Sequence, residues 1–150
     1  MKYVAAALMS LLPISAFAHD YAIDGLKVAH PIAKATTETA RASAGYLSIT
    51  NTGETSDRLV AVEADFPRVM VHDTVVEDGV ASMVHMDSIT LEPGQTVVFE
   101  PGGLHVMFMG LSDQMIEGQK IPGTLIFENA GRLDIEFNVE NLDGDAHANH

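Results

Sequence analysis

Eight methionines and seven histidines are the donor side chains that set this 150-residue chain apart, because it has no cysteine at all. Met1 and Met9 stand at the extreme N-terminus. The other six, Met70, Met83, Met86, Met107, Met109 and Met115, fall between residues 70 and 115, and His72, His85 and His105 share that stretch. Taken singly, a Met or a His in a strand is usually a packing group. Taken together, they supply soft thioethers beside neutral imidazoles. Zinc, calcium and magnesium favour thiolate, imidazole or oxygen sets, whereas thioethers suit the soft d10 cuprous ion. Cu(II) prefers nitrogen and oxygen donors in tetragonal geometry, so a thioether-rich pocket holds the reduced ion better. Methionine also has no proton to lose and forms no disulfide, which fits an oxidising compartment.

The elements that must position these donors are strands. From His19 onward the apolar pattern has period two and is broken at short intervals by turn residues. Nine strands are expected, at Ala22–Val28, Ala44–Thr50, Arg58–Glu63, Arg68–Val76, Val80–Met86, Thr96–Glu100, Leu104–Met109, Gly123–Phe127 and Arg132–Val139. Turns between them include Asn51-Thr52-Gly53, Asp78-Gly79, Glu92-Pro93-Gly94 and Pro101-Gly102-Gly103. Short strands at this spacing predict an all-β, antiparallel β-sandwich. The polar, Thr- and Ala-rich stretch Ile32–Arg41 reads as a crossing loop or short helical turn.

Strand geometry then groups the donors. Residues two apart share a face, so His105 and Met107 point one way while Leu104, Val106 and Phe108 point to the core. That places His105 and Met107 on the outer side or at the rim. A tight hairpin at Asp78-Gly79 sets His72 opposite His85 or Val84 and brings Met83 within about one diagonal step of His72. Two imidazoles and two thioethers could thus converge.

Charge and composition remove several functions. Eight Lys and Arg against twenty-one Asp and Glu leave a net charge of −13, with no basic surface for nucleic acid or an anionic membrane. The absence of Cys excludes disulfides, a thiolate nucleophile, a lipidated cysteine and a blue-copper thiolate within these residues. No G-x-S-x-G, H-E-x-x-H or glycine-rich phosphate loop marks a hydrolase. Lys2, the apolar run Val4–Leu12 and Ala16-Phe17-Ala18 read as a signal peptide over residues 1–18, cleaved after Ala18. The expected organisation is this signal, a β-sandwich domain over 19–142 and a flexible His- and Asp-containing tail over 143–150. A periplasmic location follows, with no membrane insertion after cleavage.

The spacing His72, ten residues, Met83, twenty-one residues, His105, one residue, Met107 resembles the H-x10-M-x21-H-x-M signature of periplasmic copper chaperones of the PCu(A)C type. Gly102-Gly103-Leu104-His105-Val106-Met107 resembles that family's glycine-led final segment, and Ala44-Gly45-Tyr46-Leu47-Ser48-Ile49-Thr50-Asn51 its early strand. The resemblance runs from His19 to about Leu111. It departs at Ile32, where relatives commonly carry Trp. It implies a cupredoxin-like sandwich that is not an enzyme and that binds Cu(I) through His72, Met83, His105 and Met107. It also implies delivery to a copper-accepting protein, either cytochrome c oxidase subunit II, for the binuclear copper centre, or another copper assembly factor. His85, Met86, Met70 and Met109 are expected as walls of the site or core.

Two other places carry donors. Asp143, Asp145, His147 and His150 suit Cu(II), or are a solvated terminus. His19, exposed by cleavage, would join an α-amine to an imidazole. That chelate resembles the histidine brace of copper monooxygenases and supports the alternative of a copper-dependent oxidative enzyme. A copper storage or detoxification binder is the other alternative, because the ligands alone do not reveal the destination.

Overall fold

The computed structural model describes residues 20–143. The expected signal peptide, His19, Asp145, His147 and His150 lie outside the described residues. Every regular element among those described is a strand: β1 Tyr21–Ile23, β2 Leu26–Lys34, β3 Ala42–Asn51, β4 Asp57–Ala64, β5 Arg68–Glu77, β6 Val80–His85, β7 Ile89–Leu91, β8 Thr96–Val98, β9 His105–Met109, β10 Lys120–Phe127 and β11 Gly131–Glu140. They join in the order β6-β5-β9-β3-β2-β11-β10-β4-β7, with β1 on β2 and β8 on β3. β3 links the layers, because its first residues pair with β9 and its last with β8 on one edge while β2 runs along the other.

The all-β sandwich is as expected, with four local differences, the first being β7, Ile89–Leu91, which pairs with β4 where no strand was expected. The single strand expected over Ala22–Val28 is two, because Asp24 and Gly25 adopt φ of 43° and 83° and close a two-residue hairpin. The loop expected from Ile32 begins only after Lys34. β2 absorbs a bulge at His30, whose φ is 51°, and resumes pairing at Ile32 with Tyr46. The sandwich is also not wholly antiparallel, since β11 runs parallel to β2 through Asn138↔Ile32 to Glu140↔Lys34.

Alternation drives the core. On β3, Ser43, Gly45, Leu47, Ile49 and Asn51 are buried and the residues between them are not. Val106 and Phe108 on β9 and Phe137 on β11 are fully buried. The Phe108 ring packs on Phe66 at 5.2 Å and on Phe137 at 5.3 Å between centroids. Gly45 makes this possible, because a Cβ there would stand 2.9 Å from Phe108 and 3.2 Å from Phe137. Gly45→Ala is therefore expected to destabilise the fold by about 1–3 kcal/mol through overpacking. Urea unfolding of the two proteins checks this; an unchanged midpoint would mean that the rings yield freely.

Candidate metal centre

The hairpin that sets the site is fixed by two residues. Asp78 and Gly79 have φ of 51° and 77°, the doubly positive pair of a type I′ turn, so Glu77 pairs with Val80 and the register cannot drift. His72 then lies opposite His85, and Thr74 opposite Met83. On the other edge of β5, His72 lies opposite His105 and Met70 opposite Met107. Directly opposed residues share a face. One face of three neighbouring strands therefore carries Met83 and His85 on β6, Met70 and His72 on β5, and His105, Met107 and Met109 on β9. Ala42 and Ala44 of β3, opposite Met109 and Met107, continue it with small side chains.

His72 is the centre of this array. His105 and His85 flank it with ring centroids at 5.8 and 5.9 Å, both edge to face at 87°. Met107 and Met83 are its diagonal neighbours on the two flanking strands, a separation of about 7–8 Å that long side chains span. Burial falls steeply across the face. His105 is only 5% exposed, His72, Met70 and Met107 are half-buried, and Met83 on the edge strand is 60% exposed.

The ring nitrogens are left ready to ligate. The Pro101-Gly102-Gly103 turn aims the Gly103 carbonyl at His105 Nδ1, 2.9 Å away. A carbonyl only accepts, so Nδ1 carries the proton and Nε2 keeps its lone pair, the arrangement that orients metal-binding histidines. His105 Nε2 is buried and has no hydrogen-bond partner, and neither has His72 Nδ1. A buried polar atom without a partner is costly, about 1–3 kcal/mol. No three His, Asp or Glu side chains converge as a metal group among the described residues. In the arrangement as it stands, the donors beside the two buried imidazoles are thioether sulfurs, a set whose chemistry fits a soft monovalent cation.

Burial holds the His72 imidazolium down, and the neighbouring His105, His85 and Arg68 add to it, so its pKa lies below the ordinary histidine value. The unfolded chain then takes the proton first. The stability of the neutral imidazole is complete above about pH 6.5 and is lost as pH falls through the folded value. In the metal-free protein, the His72 ring resonances are expected to titrate with a midpoint on the acid side of 6.5. A midpoint at or above 6.5 would contradict this.

Two methionines of the stretch and the one described tail residue stand apart from this face. Met86 packs against the core, with its amide donating to the Val71 carbonyl, and Met115 is buried near Thr36. Asp143 is ion-paired to Lys34 at 2.8 Å. His105, expected on the outer side or at the rim, does leave the core face but is itself buried. His85 stands closer to His72 in register than Met83 does; the unresolved choice between His85 and Val84 as its partner hid this. The signal that could have settled it is the Asp78-Gly79 dipeptide, whose type I′ preference selects the two-residue loop.

Fold and face together define a class, the PCuAC-like β-sandwich. The chain matches the copper-bound PCuAC domain from PmoF2 at a TM-score of 0.70 and 32% identity, over 82% of this chain and 98% of that one. The apo PCuAC domain from PmoF1 matches at 0.70 and 28% identity, over 82% and 99%. The solution structure of apo-DR1885 from Deinococcus radiodurans, at 0.63 and 22% identity over 94% and 95%, shares the fold. Within this class the chain belongs to the LpqE-like family, whose profile spans residues 26–139. Lxx21020 of Leifsonia xyli subsp. xyli (strain CTCB07), named as a lipoprotein, is 31% identical over 148 residues, 94% of this chain and 89% of that protein. The present 150 residues hold no cysteine to carry a lipid.

Proposed function

We propose that the protein is a periplasmic copper metallochaperone that takes Cu(I) at His72, Met83, His105 and Met107 and passes it to a copper-accepting partner. The observation that carries this reading is the pair of buried, partnerless ring nitrogens, His72 Nδ1 and His105 Nε2, on a face whose diagonal neighbours are thioethers. The copper carried by the PCuAC domain from PmoF2 on the same fold supports it. Copper is cargo here, so the site must release as well as hold. The burial gradient suits that task. His105 and His72 are held by the sheet, while Met83 projects from an edge strand into solvent. A partner's donors would displace Met83 first, then Met107, with the imidazoles last to let go, so that the ion is never fully stripped. The destination proposed is the binuclear copper centre of cytochrome c oxidase; a storage role would use the same ligands and lack a receiving protein.

X-ray absorption of the Cu(I)-loaded protein tests the ligand set. Two sulfur and two nitrogen scatterers are expected. A shell of nitrogen and oxygen alone would refute the thioether assignment.

A further inference from the structure

β6 carries two donors of different softness on one face, Met83 and, two residues on, His85. The proposed Cu(I) set uses only the first. Yet His85 is the direct cross-strand partner of His72, and His72 of His105, so three imidazoles stand in one row across three adjacent strands. Their ring centroids are 5.9 and 5.8 Å apart. Two of the three already present a buried nitrogen with no partner. The third, His85, is half exposed on a strand that is exposed along its whole length, and its Nε2 rests 3.1 Å from Asp87 Oδ1, a carboxylate that is itself almost fully exposed. Neither group is packed in place. As they stand the rings do not converge as a metal group; the His85 side chain, half exposed, has room to turn.

Three nitrogens and a carboxylate oxygen are the donors that Cu(II) prefers, and four of them meet its tetragonal demand. We infer that this face accepts copper in either oxidation state by exchanging its β6 donor, using Met83 for Cu(I) and His85 with Asp87 for Cu(II), while His72 and His105 serve both. The inference rests on the copper-carrying reading above and deepens it. The ion is taken as supplied, and the protein neither oxidises nor reduces it. Such a site keeps hold of its cargo in a compartment where both ions occur.

The test uses the purified chain and three variants, His85→Ala, His19→Ala and a chain ending at Asp143. Each is titrated with Cu(II), read by the nitrogen couplings in its electron paramagnetic resonance spectrum, and separately with Cu(I) against a chromogenic chelator. In His85→Ala, Cu(II) affinity is expected to fall by about tenfold to a hundredfold with the loss of one nitrogen coupling, while Cu(I) affinity stays within about twofold. His85 is exposed on an edge strand, so the variant is expected to fold. Unchanged Cu(II) affinity and couplings in His85→Ala would overturn the inference. So would Cu(II) binding abolished by ending the chain at Asp143 or by His19→Ala, since the terminal donors would then hold the ion. An equal loss of both ions in His85→Ala would overturn the division between Met83 and His85. Failure of the underlying Cu(I) reading shows elsewhere, as a Cu(I) affinity indifferent to Met83→Ile and Met107→Ile.

Discussion

Met107→Ile and Met83→Ile are each expected to weaken Cu(I) retention by about a hundredfold, about 2.8 kcal/mol, while leaving the fold nearly untouched. The substitution keeps an apolar side chain of similar volume and removes only the sulfur, a change that costs less than about 1.5 kcal/mol even in a packed core. Met83 is 60% exposed, so its folding cost should be the smaller. The two variants should differ in rate. Met83 stands on the edge strand where an incoming partner first meets the ion, and its loss should speed copper release to a competing chelator more than the loss of Met107 does. Competition with a chromogenic Cu(I) chelator gives the affinities, and stopped-flow transfer gives the rates. Affinities equal to the parent's in both variants would remove thioethers from the ligand set.

Much of this site was legible in the sequence because it depends on local rules. The alternation of Leu104, Val106 and Phe108 with His105 and Met107 assigns faces without any knowledge of the partners. The Asp78-Gly79 pair fixes the hairpin that brings β6 to β5. What stayed hidden depends on distant residues or on a single register step. A one-residue slip moves every side chain to the other face, which is why His85 and Val84 competed as partners of His72. The burial of His105 comes from surroundings assembled across the sheet, including the turn whose Gly103 carbonyl accepts a hydrogen bond from its Nδ1–H. The parallel ladder of β11 on β2 joins residues about a hundred positions apart and has no local signature. β2 continues past His30-Pro31 because Ile32 pairs with Tyr46 on one side and Asn138 on the other, a tertiary reason for a segment whose own residues read as a loop.

Phe108→Ala is expected to remove about 3–5 kcal/mol of folding stability, a large part of the usual total of about 5–15 kcal/mol. The ring is fully buried, fills the space that Gly45 leaves open, and holds Phe66 and Phe137 together. Its strand also carries His105 and Met107, so the site and the core share one element with the donors on one face and the ring on the other. This sharing makes copper a ligand of the fold. An ion that binds only the folded chain, supplied at about a thousand times its dissociation constant, stabilises it by about 4 kcal/mol. Saturating Cu(I) should therefore restore most of the thermal midpoint that Phe108→Ala loses. The same concentration should do far less for Met107→Ile, which is stable but binds poorly. Thermal unfolding of both variants with and without Cu(I) separates the two cases. If copper fails to raise the midpoint of Phe108→Ala, the ion does not bind the folded sheet, and the face of β6, β5 and β9 is not where it is held.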